Sequence, residues 1–325
     1  MIVPDYWAEA RRQHKTKNRQ ITVRRFGWSL VDETEALAMA ERRADEALQR
    51  LLSGEKLARS ERKLAYNGAV GVPIREEVLS RHGEEVITRN AYGARCLNSP
   101  RVLFADVDFK RSIDFKLVLL IFAALEVCGL AGFGDGSWGL ALALTFVSFL
   151  LAYPAAILVQ RLVLDAQGGA EQLAYTRIVE FVRRHPAWSL RLYRTPAGYR
   201  LLATHQAFEA VTEEVQDFFT AVRADPIYVR MCINQQCFRA RLTAKPWRIG
   251  IASHMRPRPG VWPINPERMA DRAAWVGEYE ARASAYAACT YVESIGREVI
   301  HADLSAVVDL HDRESRALWP GAVLA

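Results

Sequence analysis

Two apolar blocks in the middle of the chain restrict its folding more than anything else in the sequence. The first runs from Leu117 to Phe133 and the second from Trp138 to Val159. Neither holds a Lys or Arg, and the first has one acid, Glu126. Each approaches the ~20 residues that a helix needs to cross about 30 Å of hydrocarbon. A helix apolar on every side is either wholly buried in a large core or in lipid. The link Gly134-Asp135-Gly136-Ser137 is short and carries no positive charge. The pattern predicts a transmembrane hairpin over residues 115–160; the alternative is a pair of core helices. Glu126 favours that alternative to a degree, because a mid-bilayer carboxylate costs about 2.5–3.5 kcal/mol. It can otherwise face the partner helix or a second copy, so a homo-oligomer stays open. Pro154 lies near the end of the second block, where neighbouring helices can satisfy the carbonyl it frees.

Lys110, Arg111 and Lys116 precede the hairpin and Arg161 follows it, whereas the connection has only Asp135. The positive-inside rule then puts both flanking segments in the cytoplasm. The expected topology is membrane-embedded with both termini cytoplasmic. The start of the chain lacks a long apolar stretch, so the hairpin is expected to be the targeting signal.

Outside the hairpin the chain has ordinary globular composition. Of its 325 residues 50% are hydrophobic and 25% charged, which excludes disordered, collagen-like and disulfide-rich classes. Lys+Arg 43 against Asp+Glu 37 gives +6, and the bases gather beside the hairpin and along two predicted strands. Residues 1–20 read as an arm. Ile21–Ser29 reads as a strand, Asp32–Leu52 as a helix with acids first and bases later, and Ile74–Arg81 as a short helix after Pro73. Val86–Thr88, Arg95–Leu97 and Arg101–Asp108 read as strands. Beyond the hairpin come a helix over Ala170–Arg184, a β-hairpin from Trp188–Tyr193 and Tyr199–Thr204, and a helix over Phe208–Val222. Cys237–Leu242 and Trp247–Ile251 read as strands. A long helix is expected over Asp271–Ile295 and a shorter one over Asp303–Leu318. The expected fold is α+β: one cytoplasmic sheet with helices on one side, compatible with an RRM- or palm-like unit, split by the membrane insertion. Its parts are residues 21–114 and 161–270, followed by C-terminal helices in 271–325.

Three constellations carry chemistry. Asp106 and Asp108 alternate on one strand, so both carboxylates share a face. Such a pair can hold Mg²⁺ for nucleotidyl transfer, or simply answer Lys110, Arg111 or Arg194. Arg194 and Arg200 flank the Thr195–Gly198 turn, which suits a phosphate, or are solvated. Arg239, Arg241, Lys245 and Arg248 interleave with Phe238 and Trp247, compatible with a nucleotide, nucleic acid or anionic lipid. Arg89, Asn90, Tyr92 and Gly93 add a polar loop. Cys232 and Cys237, with His254 and Cys289 as further ligands, make a poor zinc set for want of a second Cys pair. His301 and His311-Asp312 have no evident nucleophile beside them. No Walker loop, G-x-S-x-G or H-E-x-x-H occurs.

The blocks RNAYGARCLN, VLFADVDF, YRTPAGYRLLATH and DPIYVRMCINQQCFRARLTAKPWR resemble an uncharacterised family of bacterial membrane-associated hypothetical proteins, over most of residues 66–248. More remotely, the order resembles the palm of archaeo-eukaryotic primase-polymerases. That resemblance implies metal on Asp106 and Asp108. It also implies a triphosphate-binding His, where this chain has Arg200 with His205 shifted nearby, and a third carboxylate, for which Asp225 is the candidate. The set is incomplete. The reading is therefore a membrane protein whose cytoplasmic domain binds a protein partner or anionic ligand without catalysis. The alternative is a membrane-anchored, Mg²⁺-dependent nucleotidyltransferase-like or nucleotide-binding protein.

Overall fold

A computed structural model describes residues 1–17, 20–61, 73–109, 113–131, 138–258 and 262–325. The chain is mixed α+β. Within residues 1–20, β1 (Tyr6–Lys15) pairs in antiparallel register with β2 (Gln20–Ser29). The charged, exposed face of β1 hides its strand character in the sequence. Helix α1 (Glu33–Leu52) is capped by Asp32, whose side chain accepts from Glu35 N at 2.7 Å. Its alanine stripe lets it lie close against β2, so close that a Cβ at Gly27 would stand 2.1 Å from Ala36 O. This unit joins the body through Ile74 N, which donates to Ile2 O, and through Arg75, stacked 3.6 Å over Phe26.

The body holds two four-stranded sheets. One contains β3 (Glu77–His82), β4 (Glu85–Arg89), β5 (Arg95–Ser99) and β9 (Phe238–Arg241), in that order. The other contains β6 (Phe104–Asp108), β7 (Ser189–Arg194), β8 (Gly198–Ala203) and β11 (Thr290–Gly296), in the order β11-β7-β8-β6. A short parallel pair, β10 (Tyr286–Ala287) and β12 (Val323–Leu324), completes the strands among the described residues.

Helices cover both faces of the second sheet rather than one. On one face Tyr199 donates to Glu171 of α4 (Gly169–Arg184), which also packs with α5 (Glu213–Val222) through Phe181 and Phe218. On the other, Arg191 and Tyr193 meet Asp312 and His311 of α8 (Ala302–Ser315). Between α5 and β9 lies α6 (Pro226–Gln235), an element the sequence reading passed over. Helix α7 (Met269–Ala283) ends early.

Three local expectations fail. Residues 77–82 form β3, because Glu77–Arg89 pairing across the Gly83 turn outweighs the helix start offered by Pro73. Trp247–Ile251 is no strand: Pro246–Arg248 is a single 3₁₀ turn. The long helix over Asp271–Ile295 stops at Ala283, and Thr290–Gly296 becomes β11 by pairing with β7. Its β-branched residues Thr290, Val292 and Ile295 suit that choice.

The apolar blocks form α2 (Phe115–Ala131) and α3 (Trp138–Ala166). Among the described residues one helix, α3, is long and apolar enough to cross a membrane. Helix α2, with 17 residues, spans about 25 Å. Phe133 and the connection 134–137 lie outside the described residues, as do Lys110 and Arg111. The two helices touch: Thr145 Oγ1 donates to Glu126 Oε2 at 2.9 Å, and Gly129 would place a Cβ against Leu144. Both leave large apolar side chains uncovered, among them Leu120, Leu142, Phe146, Phe149 and Leu158.

Candidate anion-binding pocket

Strands β6 and β9 lie side by side where the two sheets meet, but belong to different sheets. Side chains stitch the gap. Tyr228 of α6 donates its hydroxyl to Phe104 O at 2.8 Å and accepts from Arg239 N at 3.3 Å. Arg200 donates Nη1 to Arg241 O at 2.8 Å. Beyond these stitches the seam opens into a cavity of about 430 Å³.

Asp106 and Asp108 both line it, as strand alternation requires. So do Arg200, Arg239 and Arg241, and Asp225 arrives from the start of α6. Five of the six residues proposed for metal or phosphate from sequence, Asp106, Asp108, Arg200, Arg239 and Arg241, therefore line one cavity. The sixth, Arg194, is turned elsewhere: it pairs with Glu171 at 3.1 Å and stacks 4.4 Å over Phe109.

The charges divide into two kinds. Arg200 is fully buried and is the cross-strand partner of Asp106; Nε and Nη2 take its two carboxylate oxygens at 2.9 and 3.3 Å. Arg239 is likewise buried and ion-paired to Glu76 at 2.5 Å, which also accepts from Thr88 at 2.6 Å. These two arginines hold the walls together. Arg241, Lys245 and Arg248 are different. Among the described residues none of the three has a carboxylate oxygen within 4.0 Å. Arg241 donates to Thr243 O at 2.7 Å, and Lys245 stands 5.5 Å over the Trp247 ring. Arg248 Nη1 is buried with no partner among the described residues.

Their mutual proximity shows in their acidities. Burial, then Arg241 and Arg248, pull Lys245 below the usual lysine range. Burial, then Arg241, lower Arg248. Burial, then Asp106 and Asp225, raise Asp108. Burial pushes the Tyr92 phenol up to about 12, so the pocket keeps a neutral hydroxyl. The buried amide of Gln235 also lines the cavity, and its Oε1 has no partner among the described residues.

As a cation site the acids are poorly disposed. Arg200 already supplies the counter-charge of Asp106, and Asp225 spends Oδ1 on capping α6 at Ile227 N, 3.0 Å. Among the described residues no group of three or more His, Cys, Asp or Glu is placed to share a metal. Asp108 and Asp225 are the residues that would hold Mg²⁺ carried in with a phosphate. Cys232 and Cys237 are buried, and burial raises both thiols, which disfavours the thiolates that zinc requires. His254 is exposed. His205 lies away from the pocket, its Nδ1 accepting from Ser189 N at 3.3 Å between Trp188 and Phe208. Arg89 and Asn90 are structural: Arg89 pairs with Glu280 at 2.8 Å, and Asn90 Oδ1 accepts from Tyr92 N and Ala94 N.

The sequence reading missed α6, although Asp225-Pro226 is an N-cap followed by proline at the first helical position, a legible start signal. It also left His311-Asp312 without a nucleophile. The fold supplies one: Cys289 Sγ lies 3.9 Å from His311 Nε2, and His311 Nδ1 is 3.0 Å from Asp312 Oδ1. Burial pushes the thiol up, but His311 outweighs it and holds Cys289 below its ordinary value. Cys289 and His311 are wholly buried, behind Tyr193 and Phe104. No protein-family model matches the chain, no curated protein matches it in sequence, and no solved structure matches its fold.

Proposed function

We propose that this chain is a membrane-anchored protein whose α+β body binds a phosphorylated ligand in the seam between β6 and β9. One observation carries the reading: three half-buried cations, Arg241, Lys245 and Arg248, converge on a cavity in which none meets a carboxylate among the described residues. Crowded like charges are costly unless an anion neutralises them: after burial, Arg241 and Arg248 lower Lys245, and Arg241 lowers Arg248. Phosphate oxygens satisfy Arg and Lys donors together. In this reading α2 and α3 are a transmembrane hairpin, both termini are cytoplasmic, and the membrane is the bacterial inner one.

The test is thermal unfolding of the detergent-purified full chain with inorganic pyrophosphate and with each nucleoside triphosphate, with and without Mg²⁺. A ligand at a hundredfold its Kd adds about 2.7 kcal/mol. The reading expects an upward shift that the Lys245→Ala/Arg248→Ala variant loses. No shift with any phosphate compound overturns it. Nucleotidyl transfer is a second reading, favoured by Asp108 and Asp225 standing beside the cations. It requires that the shift depend on Mg²⁺ and vanish in Asp108→Asn.

A further inference from the structure

The ends of the apolar excursion are tied to the pocket. Phe109 N donates to Ala197 O at 3.0 Å, and Ala197 and Thr195 of that turn line the cavity with Asp108. From Phe109 the chain reaches the start of α2 at Phe115 within six residues, about 20 Å at full extension. On the return side α4 follows α3 directly. Its Glu171 accepts from Tyr199 at 3.0 Å and pairs with Arg194, the residues on either side of the same turn. The β7–β8 turn is thus clamped to both membrane-directed segments, and the cavity opens beside it.

The pocket rim is also unusual for a site that takes a freely soluble anion. Ile227 is 78% exposed and Trp247 58% exposed, each beside lining residues of the cavity. Trp247 is held by the edge of Tyr92 at 5.4 Å and by Lys245. Exposed Trp next to Lys and Arg is the pattern of the water–headgroup boundary, where the ring suits the interface and the cations suit lipid phosphate.

Resting on the pocket reading above, we infer that the phosphate bound there is the headgroup of a membrane lipid, presented from the bilayer that α3 enters. Arg241, Lys245 and Arg248 take the phosphate, while Trp247 and Ile227 contact the glycerol and upper acyl region.

The experiment is hydrogen–deuterium exchange of the peptide spanning residues 241–251 in the full chain reconstituted into nanodiscs. One arm uses phosphatidylcholine alone, a second adds phosphatidic acid, and a third adds inorganic pyrophosphate to phosphatidylcholine discs. The inference expects protection in the second arm beyond that in the third, lost in Lys245→Ala/Arg248→Ala and retained in Arg316→Ala. Trp247→Ala should weaken the second arm and leave the third as it was. Protection by pyrophosphate equal to or above that by phosphatidic acid overturns the lipid assignment and keeps the pocket. Protection in neither arm overturns both.

Discussion

The acids Glu76 and Asp108 make opposite contributions to stability at neutral pH. Glu76 is the counter-ion of a buried Arg239, so Glu76→Ala leaves an uncompensated charge inside the protein. Breaking such a pair costs about 3–5 kcal/mol, and chemical denaturation should show a loss of that size. Asp108 works the other way. Its carboxyl is raised by burial, then by Asp106 and Asp225, so the folded chain holds this proton more tightly than the unfolded one. Its stabilising contribution is complete below the ordinary carboxylate pKa and disappears as pH rises through the raised value. Asp108→Asn should therefore be more stable than the wild type at neutral pH. Its unfolding temperature should also vary less through the mildly acidic range. Asp106 and Asp108 were legible as a pair because strand alternation is a local rule. That Arg200 would consume Asp106 was not, since their pairing is decided by the register of β6 against β8, 94 residues apart.

At the scale of elements, the seam depends on how close β8 can come to β6. Gly198 has no room for a side chain: a Cβ there would stand 2.0 Å from Val107 O. Gly198→Ala should push the β7–β8 turn away from Asp108, lower the unfolding temperature and abolish any phosphate-induced shift. Strands β4 to β8 and helices α1 and α4 were readable from alternation, capping and periodicity, because each carries its own pattern. The errors have different causes: residues 77–82 are decided by the neighbouring strand β4 across a tight turn, Pro246 turns the chain at 246–248, and residues 290–296 are decided by β7, far back in the chain. The cations of the pocket were visible as a cluster in residues 239–248. Their lack of partners was not, because the absence of a nearby carboxylate is a property of three-dimensional neighbours.

For the whole molecule, the membrane reading makes the most exposed surface of α3 its functional one. Carbonate extraction should leave the full chain in the membrane fraction. A cysteine introduced in the 134–137 connection of a chain whose Cys128 is replaced should label from outside spheroplasts with an impermeant maleimide. Release by carbonate, or labelling only after permeabilisation, would contradict the hairpin and its orientation. The insertion also sets a timetable. Strand β6 has β8 as its hydrogen-bonded neighbour, and β5 is completed by β9; in each case the partner lies beyond α3 in the chain. At 5–20 residues per second, β6 leaves the ribosome roughly 5–20 s before β8. During that interval its apolar edge is unpaired while α2 and α3 are being synthesised. Sheet closure therefore waits for both apolar helices to be made, so the seam between β6 and β9 takes shape only after α2 and α3 have left the ribosome.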